Sequence, residues 1–582
     1  MAGAEDDEEW KANYSTEDSS VTIEVKTNCS GCGAKLHCQD SALPGFVPVE
    51  VLRNVVEKEE KNARRKAKID IDELCRRCYM LKHHNFLLNV NVCEVDYERM
   101  MGHLKLIQEA LILLVVDMTD ITGSIYRQLP DIIGTAKPMI VIGNKIDLLP
   151  PDARGGYLRR YRDALNDALN ESELSQRFNV MHTALVSAKT GYGIEDLITN
   201  IYLKWMNTKG ALRSDMYLVG CTNAGKSTLF NSFIQSDLCK VRALDLVERV
   251  TTSVWPGTTL SLLKFPLMNP SSHRLELRRR RLLMLRAWAK KEESAKAMLY
   301  SKTKDLQFLT LSGVVDNTFK ENESVANPIS NRLMNSTVSN EVDVINADTI
   351  EQKPKHGIRL SDIEFTHGHW CFDTPGTVSR EQVLDLYTLD ELITLVPRQL
   401  MIPRFAIIQP GQSLLFGGTA RLDFISNETP ENPVFLTIYC SDRLPLHVLK
   451  TEEVEPFLEK FNGTKVVAVP FGDKERLNVF PALEGKELNL EKTRNLKAIS
   501  DIVLSSIGWV TVNSVSEKMC FKASTPQGRG ITTRAPLLPF AIEYKGPRIP
   551  GTSFYKAKPM FIDSQYSRRE DSRKHKKFQK RR

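Results

Sequence analysis

Residues Gly220-Cys-Thr-Asn-Ala-Gly225-Lys226-Ser227 set two glycines, a lysine and a hydroxyl at the spacing of a phosphate-binding loop. Its glycines free backbone N–H groups to wrap a β-phosphate, and the start of the following helix adds partial positive charge. Lys226 then bridges β- and γ-phosphates, and the Ser227 hydroxyl ligates Mg²⁺. Thr222, Asn223, Ala224 and Thr228 complete the cradle. Upstream, Asn144-Lys145-Ile146-Asp147 offers a carboxylate, Asp147, that can accept hydrogen bonds from N1 and N2 of guanine. Adenine lacks that donor pair, and a buried carboxylate left unpaired is costly. Asn144 would tie this base loop to the phosphate loop, with Lys145 along the base plane. In Ser187-Ala188-Lys189 the Ala188 N–H could donate to guanine O6.

Two further segments supply what hydrolysis needs. Asp373-Thr374-Pro375-Gly376 would hold Mg²⁺ through water on Asp373 and sense the γ-phosphate with the Gly376 N–H. Pro256-Gly257-Thr258-Thr259 carries the threonines that would close on Mg²⁺ and the γ-phosphate and release after hydrolysis. Thr377 stands where a Gln would orient the attacking water.

These loops need strands to aim them. Apolar runs at Leu111–Val116, Met139–Ile142, Met181–Val186, Met216–Val219 and Trp370–Phe372 each end at or just before a motif or an acid. Helix-length segments separate them, which predicts an α/β domain built on a mostly parallel sheet. Thr228–Ile234 reads as the helix after the phosphate loop. Residues 268–362 interrupt the rhythm with basic and then polar sequence. Beyond Pro403, runs such as Phe435–Tyr439, Lys465–Val469 and Trp509–Val512 predict a further, mixed α+β domain.

At 582 residues the chain exceeds one hydrophobic core, and its 42% hydrophobic and 26% charged content is that of a soluble globular protein. No apolar run reaches the ~20 residues that span a bilayer. That leaves room for peripheral membrane contact, and no oligomeric state is fixed by the sequence. Residues Glu5 to Glu9 are all acidic, unlike a secretory or mitochondrial leader. On this reading the protein is cytoplasmic, or a presequence is missing from the sequence. The segment Ser567–Arg582 holds nine Lys/Arg against two Asp/Glu, an excess equal to the chain's net charge of +7. Its charge is unopposed, which points to a polyanion such as RNA. Arg278–Arg281, inside the helix-forming stretch His273–Lys291, is a second candidate RNA contact, equally well read as a solvated face.

Five of the eleven cysteines lie between Cys29 and Cys78. The pairs Cys29-x₂-Cys32 and Cys75-x₂-Cys78 can each give two thiolates to a tetrahedral Zn²⁺. Cys38, His37, His83 and His84 compete as ligands.

The base-reading motifs precede the phosphate loop, the reverse of the order in ordinary small GTPases, so the motifs run in circularly permuted order. In this order, and in Cys29-Ser-Gly-Cys32-Gly, Trp255-Pro-Gly-Thr-Thr-Leu, Phe416-Gly-Gly-Thr-Ala-Arg421-Leu-Asp423-Phe and Arg534-Ala-Pro-Leu-Leu-Pro, the chain resembles the YqeH-type circularly permuted GTPases. Within them it is most similar to the animal mitochondrial nitric oxide-associated group. The resemblance implies a permuted P-loop GTPase domain with an N-terminal zinc-binding module and a mixed α+β C-terminal domain. It selects Thr259 over Thr258 as the Mg²⁺ ligand and implies a K⁺ ion on Asn223, as in potassium-stimulated GTPases. With Thr377 in place of a water-orienting Gln, GTP hydrolysis is expected to be slow and raised by K⁺ and a docked partner. The resemblance implies a role in small ribosomal subunit assembly on rRNA, in mitochondria. A scaffold that keeps GTP as a structural ligand is the alternative. The expected division is a disordered acidic segment (1–26), a zinc module (27–98), the GTPase domain (99–402), an RNA- or ribosome-contacting domain (403–560) and a basic tail (561–582).

Overall fold

A computed structural model describes residues 25, 27–29, 34–39, 45–64, 73–76, 78–79, 97–206, 211–240, 263–303, 306–318, 368–429, 432–472, 474–491, 498–514, 516–544 and 548–549. The expectations for residues 1–24, Cys32, His83, His84, the Pro256–Thr259 segment and the basic tail lie outside them.

A six-stranded sheet is built from β1 (Leu111–Asp117), β2 (Pro138–Asn144), β3 (Asn179–Leu185), β4 (Met216–Val219), β5 (Leu263–Pro266) and β6 (Trp370–Asp373), in the order β3-β2-β1-β4-β6-β5. All neighbours are parallel except β5 and β6. Strand β1 lies centrally and every residue in it is buried, as its unbroken apolar run requires once helices cover both faces. Apolar side chains buried this way contribute about 1.5–3 kcal/mol each. The apolar runs read from sequence fall on β1, β2, β3, β4 and β6. The edge strand β5 was not foreseen: it is four residues long and lies directly against the insertion.

Helices α1 (Val49–Arg64), α2 (Tyr157–Glu171), α3 (Ile194–Trp205), α4 (Lys226–Ile234), α5 (Ser272–Thr303) and α6 (Leu389–Leu395) matter below. The charged helix α1 buries Leu52 and Val55 against the cysteine cluster.

Two five-stranded antiparallel sheets follow: β16-β13-β14-β10-β7 and β11-β8-β9-β15-β12. They comprise β7 (Arg404–Ile408), β8 (Gln412–Phe416), β9 (Ala420–Asn427), β10 (Val434–Cys440), β11 (Leu446–Lys450), β12 (Leu483–Glu491), β13 (Ala498–Leu504), β14 (Gly508–Asn513), β15 (Lys518–Pro526) and β16 (Ile531–Arg534). Their shared core includes Phe416, Phe424, Leu436, Val510 and Phe521. The run Lys465–Val469 is not a strand. Its start is a turn, Ala468 adopts φ 64°, and Pro470 follows, so Val467 and Val469 are instead buried in a loop and Val466 is exposed.

The β-rich part packs on the parallel sheet through one continuous apolar cluster, in which Phe405, Tyr439, Trp509 and Leu538 join residues of β1 and β2. Tyr439 stacks on Trp509 at 4.8 Å. Beside it, Asp120 accepts from the Ser506 hydroxyl at 2.7 Å and from the Gly123 N–H at 3.1 Å. Burial raises the Asp120 carboxyl from 3.8 to about 6. A carboxyl raised by folding favours the folded state at low pH, and that contribution is lost as pH rises from about 4 through 6. Asp120→Asn should therefore flatten the dependence of melting temperature on pH between about 4 and 6.5; an unchanged slope would contradict this.

Candidate nucleotide site

Because β3, β2, β1, β4 and β6 run parallel, the loops leaving them meet at one edge of the sheet, where open α/β sheets bind ligands. Four of the five sequence motifs are those loops. The fifth, with Thr259, lies outside the described residues.

Strand β4 delivers Gly220–Gly225 and α4 begins at Lys226. Lys226 is buried, and its Nζ donates to the Gly220 and Cys221 carbonyls, each at 2.9 Å. Burial lowers its pKa. The ammonium thus sits inside the loop. Asn223 holds the left-handed conformation, φ 60°. Ala224 is buried, and Thr228 is half-buried with its carbonyl accepting from Ser232.

Strand β6 brings Asp373 beside this loop. Tyr217 and Phe372 are paired across β4 and β6 and stack at 4.7 Å, which fixes the register Leu218 opposite Asp373. Ser227 Oγ then donates to Asp373 Oδ2 at 2.8 Å. The next turn closes on the phosphate loop: the Thr222 N–H donates to the Thr377 carbonyl at 2.9 Å and the Thr377 N–H to the Gly220 carbonyl at 3.2 Å. Gly376 lies against Thr222. Ser227 and Asp373, 146 residues apart, are thus placed as a pair that can share one hard cation.

On the base side, Asn144 joins three segments. Its Nδ2 donates to the Ala224 carbonyl at 2.9 Å, and its Oδ1 accepts the Ala188 N–H at 2.9 Å. The expected tie to the phosphate loop is there, whereas the Ala188 N–H expected to face guanine O6 is on Asn144. Lys145, at φ 67°, pairs its Nζ with Asp117 Oδ2 at 2.6 Å. Asp147 is buried in a short 3-10 turn, Ile146–Leu148. Ser187 is buried and its Oγ accepts the Thr190 N–H, while exposed Lys189 reaches the Arg398 carbonyl at 3.0 Å. Asp117 was missed from sequence. The available signal was a carboxylate closing an all-apolar strand, and it stands opposite Asn144 in the register.

Away from this edge, the Sγ atoms of Cys29, Cys75 and Cys78 lie within 4.8 Å of one another, all three buried. Cys32 lies outside the described residues. Converging buried thiols suit a soft divalent ion, so the cluster can hold a metal.

The arginine run divides. Arg279 and Arg280 are exposed and pair with Glu276. Arg278 and Arg281 instead turn inward to Glu195 and Asp237. An RNA contact through all four is therefore corrected: helical spacing puts positions 278 and 281 on the packed side.

Comparison with known proteins agrees with this geometry. Residues 215–277 match a family model described as 50S ribosome-binding GTPase, and residues 434–537 match one described as YqeH-like, C-terminal. The chain is 34% identical over 572 residues to mouse nitric oxide-associated protein 1, covering 91% of this chain and 78% of that protein. It is 24% identical to uncharacterized protein YqeH of Bacillus subtilis, covering 88% of this chain and 100% of that one. With the Arabidopsis NO-associated protein 1, chloroplastic/mitochondrial, it shares 22% identity over 84% of this chain and 70% of that protein.

Asn144→Ala should weaken binding of a fluorescent guanine nucleotide about tenfold or more, because it strands the Ala224 carbonyl and Ala188 N–H together. Gly225→Ala should do the same, since its Cβ would collide with the Asn144 amide. Affinities within twofold of wild type for both would contradict the role given to Asn144.

Proposed function

The chain belongs to the YqeH and nitric oxide-associated protein family, and from its P-loop GTPase domain we propose a circularly permuted GTPase that hydrolyses GTP on ribosomal RNA. The observation that carries this is the Ser227–Asp373 contact at 2.8 Å, beside a buried Lys226. Mg²⁺ on Ser227, Asp373 and Thr259 would neutralise charge developing on the phosphates. Lys226 then trades its loop carbonyls for β- and γ-phosphate oxygens, and the Gly376 N–H reads the γ-phosphate. Gly220, Thr222, Asn223, Ala224, Gly225 and Thr228 line the phosphates. Asp147 selects guanine, supported by Asn144, Lys145, Ser187, Ala188 and Lys189.

No Gln follows Gly376, so turnover by the chain alone is slow and rises with K⁺ on Asn223 and with a docked partner. The second switch leads into the β-rich part, and the contacts along that path support nucleotide-dependent docking. Ser505 Oγ donates to the Glu381 carbonyl at 2.7 Å, and Arg529 pairs with Asp385 at 3.0 Å. Buried Glu391 caps α6 and accepts from Arg476 and from the Phe471 N–H. In line with the family resemblance, the proposed partner is the small ribosomal subunit and the proposed place is mitochondria. The matching domain description names the 50S subunit instead, so both must be assayed.

GTP turnover at steady state should be severalfold faster in K⁺ than in Na⁺, and Asn223→Ala should abolish that difference. Small subunits should raise turnover more than large ones. Equal rates in both salts would sink the potassium role. A single turnover without recycling, even with subunits present, would favour the scaffold that holds GTP as a structural ligand.

For the cysteine cluster we propose Zn²⁺ on Cys29, Cys32, Cys75 and Cys78. Purified protein should carry about one zinc per chain, and Cys75→Ser should lose it. Full zinc content in that variant would remove Cys75 from the ligand set.

A further inference from the structure

The insertion that follows β5 runs out along α5 and returns through residues 306–318. That return segment lies on the loop that carries Ser187-Ala188-Lys189. The Thr190 hydroxyl donates to the Leu311 carbonyl at 2.7 Å, and the Gly313 N–H donates to the Thr190 carbonyl at 3.0 Å. The two backbones touch: a Cβ on Gly313 would stand 2.7 Å from the Gly191 carbonyl oxygen and 2.9 Å from Tyr192 Cα. Lys296 of α5 holds the neighbouring Ser312 hydroxyl at 2.6 Å.

The start of α5 and residues 317–318 are both fastened beside the base loop. Arg278 and Arg281 pair with Glu195, in the first turn of α3, and with Asp237, just beyond α4, at 2.6–3.1 Å. Asp237 also accepts the Thr318 N–H at 2.6 Å and its hydroxyl at 2.8 Å. Asn317 donates to the Ser236 carbonyl at 3.0 Å. From the α4 side, Ser232 Oγ reaches the Ala188 carbonyl at 2.9 Å. A buried four-charge cluster of this kind adds little net stability, but it fixes where its elements sit.

We infer that the insertion braces the guanine-reading loop: Leu311–Gly313, anchored through Arg278 and Arg281, presets residues 187–191 for guanine and so sets nucleotide affinity. Thr190 and Gly313 are positioning residues acting through Ala188 and Lys189. Presetting the loop moves its ordering cost from binding to folding, which tightens binding without new ligand contacts. This inference rests on the proposed base-reading role of that loop.

The test compares wild type, Thr190→Ala, Thr190→Ser and Gly313→Ala as full-length proteins, by titration with fluorescent GDP and by steady-state GTP turnover. Thr190→Ala removes one hydroxyl, and Gly313→Ala pushes the two backbones apart. Each should raise Kd and KM about 5- to 30-fold with kcat held, and Thr190→Ser should return Kd to near wild type. A general structural defect would instead lower kcat and melting temperature together and would not be rescued by Ser. Thr190→Ala and Gly313→Ala proteins that bind GDP within twofold of wild type would overturn the brace. A wild-type chain that bound no guanine nucleotide would overturn the proposed function, and the brace with it.

Discussion

The Asn144 carboxamide is the joint on which the nucleotide edge depends, because its two polar groups are spent on two different loops. Its nitrogen holds the phosphate loop at Ala224 and its oxygen holds the base loop at Ala188. Each bond is worth only about 1 kcal/mol net, but a buried donor or acceptor left alone costs about 1–3 kcal/mol. Three strands separated in sequence are thereby locked in relative height, and Gly225 is the residue whose missing side chain makes room for the amide. Asp117, opposite Asn144 in β1, holds Lys145 and extends the same joint to the neighbouring strand.

A second constraint couples this edge to the rest of the molecule. β4 carries the phosphate loop and β6 carries Asp373, so the aromatic pair Tyr217–Phe372 sets the distance between the groups proposed to share Mg²⁺. The chain then leaves β6 through a turn hydrogen-bonded to the phosphate loop and reaches the β-rich part within a few residues. In the proposed permuted arrangement this path is short because the second switch is the last nucleotide motif in the chain. Along this path the Glu381 carbonyl accepts from Ser505, and Glu391 accepts from Arg476 and the Phe471 N–H.

Much of the site was legible because parallel strands buried on both faces read as unbroken apolar runs, and motifs at their ends need no knowledge of packing. The five apolar runs and the helix after the phosphate loop were found for that reason. Long-range partners were not legible. Asp117 looked like the end of a strand, and nothing in the spacing says that it meets Lys145. The arginine run read as uniform charge, yet Arg278 and Arg281 are paired inside while Arg279 and Arg280 face out. In the β-rich part, Lys465–Val469 had the composition of a strand, but its backbone turns at Ala468. The hold of Leu311–Gly313 on Thr190 links residues over a hundred positions apart, across a segment with no motif of its own.

In the proposed switch, the nucleotide state read at Gly376 is carried through residues 377–391 into the β-rich part. Hydrogen–deuterium exchange on the GDP-bound and non-hydrolysable GTP-bound protein tests it most directly. Amide protection should change between the two states at residues 377–391 and also at the Ser505–Ile507 turn. Identical exchange at that turn, in a protein shown to bind both nucleotides, would contradict it.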